Sequence, residues 1–234
     1  IWFLTSGTDP YVDGDATYAN VVMALDDIAS RSSDQDIVYI QFVDHGGGYN
    51  DAWGWDTNMG GRLDGSAGDP VDEDDDSYCS IPGGGDSKDS LGRDYDGCLC
   101  THGGWFYDDE FASELNDITC RYLVFIPVAC FSGEFIEDCS NDFTASGRII
   151  CSAAPENYFA WWRRPLYTYY AYYFHEGLTW TASLGTHNPD THYSVSNGNG
   201  RIEIEEAHAY ADEYDTADEP KTWDWLPSTN LFLP

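Results

Sequence analysis

The stretch Tyr122-Leu-Val-Phe-Ile-Pro-Val-Ala-Cys130-Phe-Ser-Gly133 decides the reading of the fold. An unbroken apolar run of strand length reads as a central strand covered on both faces, and this one delivers a cysteine into a Ser-Gly turn. A second run, Ile37-Val-Tyr-Ile-Gln-Phe-Val-Asp-His45-Gly-Gly-Gly48, delivers a histidine in the same way. Open α/β sheets build their sites at the carboxyl ends of strands, where loops converge. A thiol and an imidazole carried there suit thiolate attack on a carbonyl, with His45 as base or acid.

Outward from these strands the periodicity alternates. Val21, Val22, Leu25 and Ile28 recur at helical spacing after a Thr17 or Asp15 cap, which predicts a helix over 17–30 leading into a strand at 37–43. Phe111 and Leu115 suit a short helix before the strand at 121–129, and 148–153 reads as a further strand. The aromatic run Leu166 to Leu178 predicts a buried helix with Tyr167, Tyr170 and Phe174 on one face. Strand alternating with helix implies an α/β domain, a mostly parallel sheet with helices on both faces. Residues 49–107 break the rhythm with long Gly, Asp and Ser runs and read as an acidic insertion within a domain spanning 1–234. His45 and Cys130 are 85 positions apart because of it.

Composition narrows the partners. The 234 residues carry 10 basic and 42 acidic side chains, a net charge of −32, so a phosphate backbone or an anionic membrane meets repulsion and finds no basic stripe. The longest apolar run is far short of the roughly 20 residues that span a bilayer. An apolar fraction of 42% supports a sizeable core rather than a disordered chain. With Cys130 set aside, six cysteines remain, an even number that allows up to three disulfides without specifying a pairing. Together with the acidity this suits a secreted or cell-surface protein of a halophilic or marine prokaryote. His102, His175, His187, His192 and His208 have no cysteine or carboxylate at zinc-ligand spacing in the sequence and read as surface or core histidines.

The two strand-end motifs resemble clan CD cysteine peptidases, the caspase, legumain and clostripain group, and are most similar to bacterial and archaeal legumain-like members. Asp13-Gly-Asp-Ala-Thr-Tyr-Ala-Asn20, ahead of the helix and His45, resembles the legumain-type approach to the catalytic histidine. Arg148-Ile-Ile-Cys-Ser-Ala-Ala-Pro-Glu-Asn157 followed by Trp161-Trp-Arg-Arg-Pro165 resembles the next strand and the caspase substrate loop, and Gly200 to Tyr210 ahead of Pro220 resembles the last helix. About two thirds of the chain is covered, in order. The resemblance implies a caspase-like fold and a cysteine endopeptidase acting on a protein or peptide through a thioester, with catalytic His45 and Cys130. It also implies the amides of Gly46 and Cys130 as oxyanion donors. Trp161, Trp162, Arg163 and Arg164 become the substrate strand, with Ser152 and Glu156 as further pocket residues. Val128-Ala129 is apolar where legumains and metacaspases carry an acid. The family also has a strand and a helix ahead of the segment matching Ile1 to Leu4, so the resemblance implies an N-terminal part, for instance a separate chain of the same precursor.

The insertion has its own reading. Asp72, Asp74, Asp76, Asp94 and Asp96, in the runs Asp72-Glu-Asp-Asp-Asp76 and Asp94-Tyr-Asp96 of a Gly-rich loop, offer the alternating carboxylates on short side chains that Ca²⁺ uses, although none fits the full EF-hand pattern. A structural Ca²⁺ is therefore expected there, or a disulfide through Cys79, Cys98 or Cys100 that orders the loop without metal. The rival to the peptidase is a catalytically silent module that keeps the fold and binds Ca²⁺ as a surface or structural element.

Overall fold

The computed structural model describes residues 2, 4–5, 13–48, 97–102, 104–136, 139, 143–155, 158–163, 167–226 and 231. A four-stranded sheet runs β1 (Ile37–Val43), β5 (Tyr122–Val128), β6 (Arg148–Ser152) and β9 (Lys221–Trp225) in that spatial order. The first three are mutually parallel, and β9 closes the far edge antiparallel to β6. The apolar run at 122–128 is buried at every residue, as a central strand with both faces covered must be. Pro127, which has no N–H to give, is tolerated because the ladder to β6 ends at Phe125.

Alternation along β5 sorts two cores. Leu123, Phe125 and Ala129 enter one face, whereas Tyr122, Val124, Ile126 and Val128 enter the other. On the first face lie α1 (Tyr18–Arg31) and α2 (Asp108–Asp117). Helix α1 starts where the Thr17 side chain accepts the Asn20 N–H, and it buries Val21, Ala24 and Leu25 at helical spacing. On the second face lie α3 (Tyr169–Leu178) and α5 (Ile204–Tyr214), with the single turn α4 (Pro189–His192) between them. Helix α5 opens with a reciprocal cap: Glu203 and Glu206 each accept the other's backbone N–H. No helix among the described residues is long and apolar enough to cross a membrane.

Three features differ from the sequence reading. The helix expected over 166–178 starts at Tyr169, because Tyr167 pairs instead with Arg163 in a two-rung hairpin of β7 (Trp162–Arg163) and β8 (Tyr167–Thr168). The end of the insertion forms β3 (Gly97–Thr101) and β4 (Gly104–Tyr107), which with β2 (Gly46–Gly48) make a small antiparallel sheet. No disulfide joins Cys98, Cys100, Cys120, Cys130, Cys139 and Cys151 to one another. Cys98 and Cys100 alternate along one strand, Cys151 is inside β6 and Cys120 precedes β5. Cys79 and the candidate Ca²⁺ ligands Asp72, Asp74, Asp76, Asp94 and Asp96 lie outside the described residues.

Candidate functional site

In-register pairing of β1 with β5 sets Val43 beside Val128, so the turns carrying His45 and Cys130 leave the same sheet edge side by side. They touch. A methyl group built on Gly46 would fall 2.0 Å from the Cys130 carbonyl oxygen and 2.8 Å from the Ala129 Cβ, so only glycine fits that position. The small sheet anchors the histidine turn, since Cys100 N–H donates to the His45 carbonyl at 2.8 Å. His45 itself is exposed. The Asp44 carboxylate accepts the His45 backbone N–H at 2.7 Å, which fixes the turn.

Cys130 is half-buried, and its thiol donates to the Ala160 carbonyl at 3.6 Å. Burial pushes the thiol above its ordinary value, and the charge of Asp218 adds to this. Backbone hydrogen bonding at Cys130 itself and at Gly46 pulls the other way. The backbone of Gly46 and of Cys130 itself thus acts on the sulfur. The next residue, Phe131, has φ of 58°, the single positive φ at a non-glycine residue among those described. Its N–H donates to the Tyr158 carbonyl at 2.8 Å, and its ring meets Phe159 edge-on with centroids 5.1 Å apart. A left-handed phenylalanine costs on the order of 1–3 kcal/mol and persists only when its surroundings over-determine it, as this clamp does.

Residues 158–163 therefore run alongside the thiol, joined to its turn at Tyr158 and Ala160. They leave an aromatic surface: Trp161 and Trp162 are each 50% exposed, with Tyr158 and Phe159 exposed beside them. Ser132, the third residue of the Cys-x-Ser turn, is buried and accepts the Ala154 N–H at 3.2 Å, which ties the turn to the exit of β6. Ser152, expected in the pocket, is buried with its hydroxyl donated to the Ala154 carbonyl at 3.0 Å. Arg163 stacks on α3, its guanidinium carbon 3.7 Å from the centre of the Tyr172 ring. Glu156 and Arg164 lie outside the described residues.

The sequence reading missed Asp218. Its Oδ1 accepts the Trp161 N–H at 2.8 Å, and its charge reaches Cys130 from beyond α5. Burial, then the neighbouring Asp215 charge, raise its carboxyl far above the usual carboxylate range. Its only local signal was an Asp-x-x-Asp turn, in which Asp215 accepts the Ala217 and Asp218 N–H groups at 3.0 Å.

No family model and no curated protein matches this sequence. Among solved structures the chain is similar to the crystal structure of protein GSU0716 from Geobacter sulfurreducens, with a TM-score of 0.53 and 12% identity over 94% of this chain and 83% of that one. Identity that low makes the likeness one of fold.

Proposed function

We propose that the chain is a caspase-like cysteine endopeptidase with Cys130 as nucleophile and His45 as its proton carrier. One observation carries the reading: the two strand-end turns touch, with Gly46 packed against the Cys130 backbone. In the proposed reaction the sulfur attacks the scissile carbonyl carbon as the thiol proton passes to His45. The carbonyl oxygen becomes an oxyanion held by the Gly46 and Cys130 amides. Collapse breaks the C–N bond, His45 gives its proton to the leaving amine, and a thioester remains. Water, deprotonated by His45, then releases the acid and restores the thiol. The substrate backbone would lie along 158–163, with Trp161 and Trp162 walling the site. Arg163 keeps one buried guanidinium nitrogen without an acceptor among the described residues, which supports a bias toward acidic or polar side chains, shared with Arg164.

The half-buried thiol, raised by burial, keeps open a second reading in which the fold is catalytically silent, because a protonated sulfur is a poor nucleophile; the Ca²⁺ that such a module would bind is assigned to carboxylates outside the described residues. Peptide-library cleavage with and without Ca²⁺, run on the wild type and on Cys130→Ala and His45→Ala, separates the two. Each variant is expected to abolish cleavage while keeping the far-ultraviolet CD spectrum. Near-wild-type turnover in either one would end the peptidase reading.

A further inference from the structure

His187, His192 and Glu213 come from two separate parts of the second face and bring three ligand atoms close together. His187 precedes α4, His192 ends it, and Glu213 sits in the last turn of α5. The two imidazoles stack with centroids 3.6 Å apart and planes 23° from parallel. His187 Nδ1 lies 3.0 Å from Glu213 Oε1, and His192 Nε2 lies 3.8 Å from Oε2. All three ligand atoms are within 4.8 Å of one another. These histidines have no partner at local spacing, because Glu213 is 21 residues beyond His192 and only the packing of α4 on α5 supplies it.

We propose that this trio binds a divalent transition-metal ion of the zinc class. Zinc holds nitrogen and carboxylate oxygen at about 2.0–2.2 Å in a tetrahedron, whose edges are then roughly 3.3–3.5 Å. His187 Nδ1 stands a little inside that edge from Oε1 and His192 Nε2 a little outside it from Oε2, so turning the carboxylate and tilting the stacked rings apart brings one oxygen and both nitrogens onto three corners. Two imidazoles and one carboxylate are a donor set for borderline metals and a poor one for Ca²⁺ or Mg²⁺, which take oxygen. The ligands are also oriented from behind: the Tyr193 hydroxyl donates to Glu213 Oε2 at 2.7 Å, and the His187 backbone N–H donates to the Tyr214 hydroxyl at 3.0 Å. The histidine side chains are 50% and 42% exposed, which leaves the fourth corner to water and the site open to ions from solution. The bound ion would clip residues 187–193 to the end of α5, just ahead of the Asp215–Asp218 turn.

The test is calorimetric titration of the intact chain with zinc chloride, in millimolar Ca²⁺ so that carboxylate-only sites are already filled. Wild type is expected to take up one equivalent with an affinity at least tenfold above that of His187→Asn, His192→Gln and Glu213→Gln, each made separately. Cobalt(II) in the same site should give a visible ligand-field band without sulfur-to-metal charge transfer. Unchanged zinc uptake by the three variants, or a thiolate charge-transfer band that tracks the bound equivalent, would place the metal on the cysteines or acids and overturn the proposal.

Discussion

The two faces of the central sheet are built on different physics. On the α1 and α2 side, Phe106, Phe111, Phe125 and Phe135 pack ring on ring, with centroid separations of 4.8 to 6.0 Å. On the α3 and α5 side small residues let two helices close up: a methyl group on Gly177 would stand 3.2 Å from the Ala207 backbone. Polar groups are drawn in with them. His208, Glu203, Glu206, Asp215 and Asp218 are all buried there or at its rim. The aromatic cluster of the first face depends on volume and burial, which proton concentration does not touch. The second face also holds His208, Glu206 and Asp218, whose charged forms burial disfavours, so much of the pH dependence of the fold should arise from it.

The largest expected effect falls on the first face. Phe125→Ala removes a fully buried ring that touches both Phe111 and Phe135, and should cost roughly 3–5 kcal/mol. Urea denaturation at pH 5 and pH 8 should give the same loss. A loss that changed strongly between the two would break the contrast between the faces.

His208 tests the second face. Burial, and then the charge of Lys221, lower it to about 4, and its Nδ1 is bonded to the Tyr170 hydroxyl at 2.9 Å. A base whose folded value lies below its unfolded value of about 6.5 takes up its proton on unfolding, so it destabilises the fold as pH falls from 6.5 toward 4. The full span is on the order of 3 kcal/mol. His208→Gln should flatten stability across that acid window, beyond a pH-independent loss of about 1 kcal/mol for the bond to Tyr170. An acid limb as steep as that of the wild type would assign it to other groups.

What the sequence showed and what it hid follow the same divide. The strands at 122–128 and 37–43 and helix α1 were legible because their signal is local, a continuous apolar run or a repeat of three and four. The touching of the Cys130 and His45 turns follows from parallel register once both strands are known. Strand β9 was not read: Lys-Thr-Trp-Asp-Trp is an exposed edge in which tryptophan alternates with polar residues. The β3–β4 hairpin was lost in the composition of its insertion, although Gly-Cys-Leu-Cys-Thr and Gly-Trp-Phe-Tyr are only two positions apart in the sequence. Asp218 beside Cys130, and Glu213 beside two histidines, are pairings of distant segments that no periodicity encodes.

The smallest effect is expected where the second face reaches the thiol. Asp218 is buried, its Oδ1 holds the Trp161 N–H, and its Oδ2 has no partner among the described residues. A carboxyl whose folded value is raised stabilises the fold at low pH and loses that contribution as pH rises from the ordinary carboxylate value through the folded one, the opposite sense to His208. Asp218→Asn keeps an acceptor for Trp161 and abolishes the titration. It should be close to neutral near pH 4 and stabilising by about 1 kcal/mol at pH 8.5. It also removes a negative charge that raises the Cys130 thiol, so iodoacetamide should alkylate Cys130 faster at any pH where that charge is present in the wild type. Equal destabilisation at both pH values would mean the carboxylate is ionised and satisfied in the fold. An unchanged alkylation rate would separate Asp218 from the thiol and leave it as an anchor for Trp161 alone.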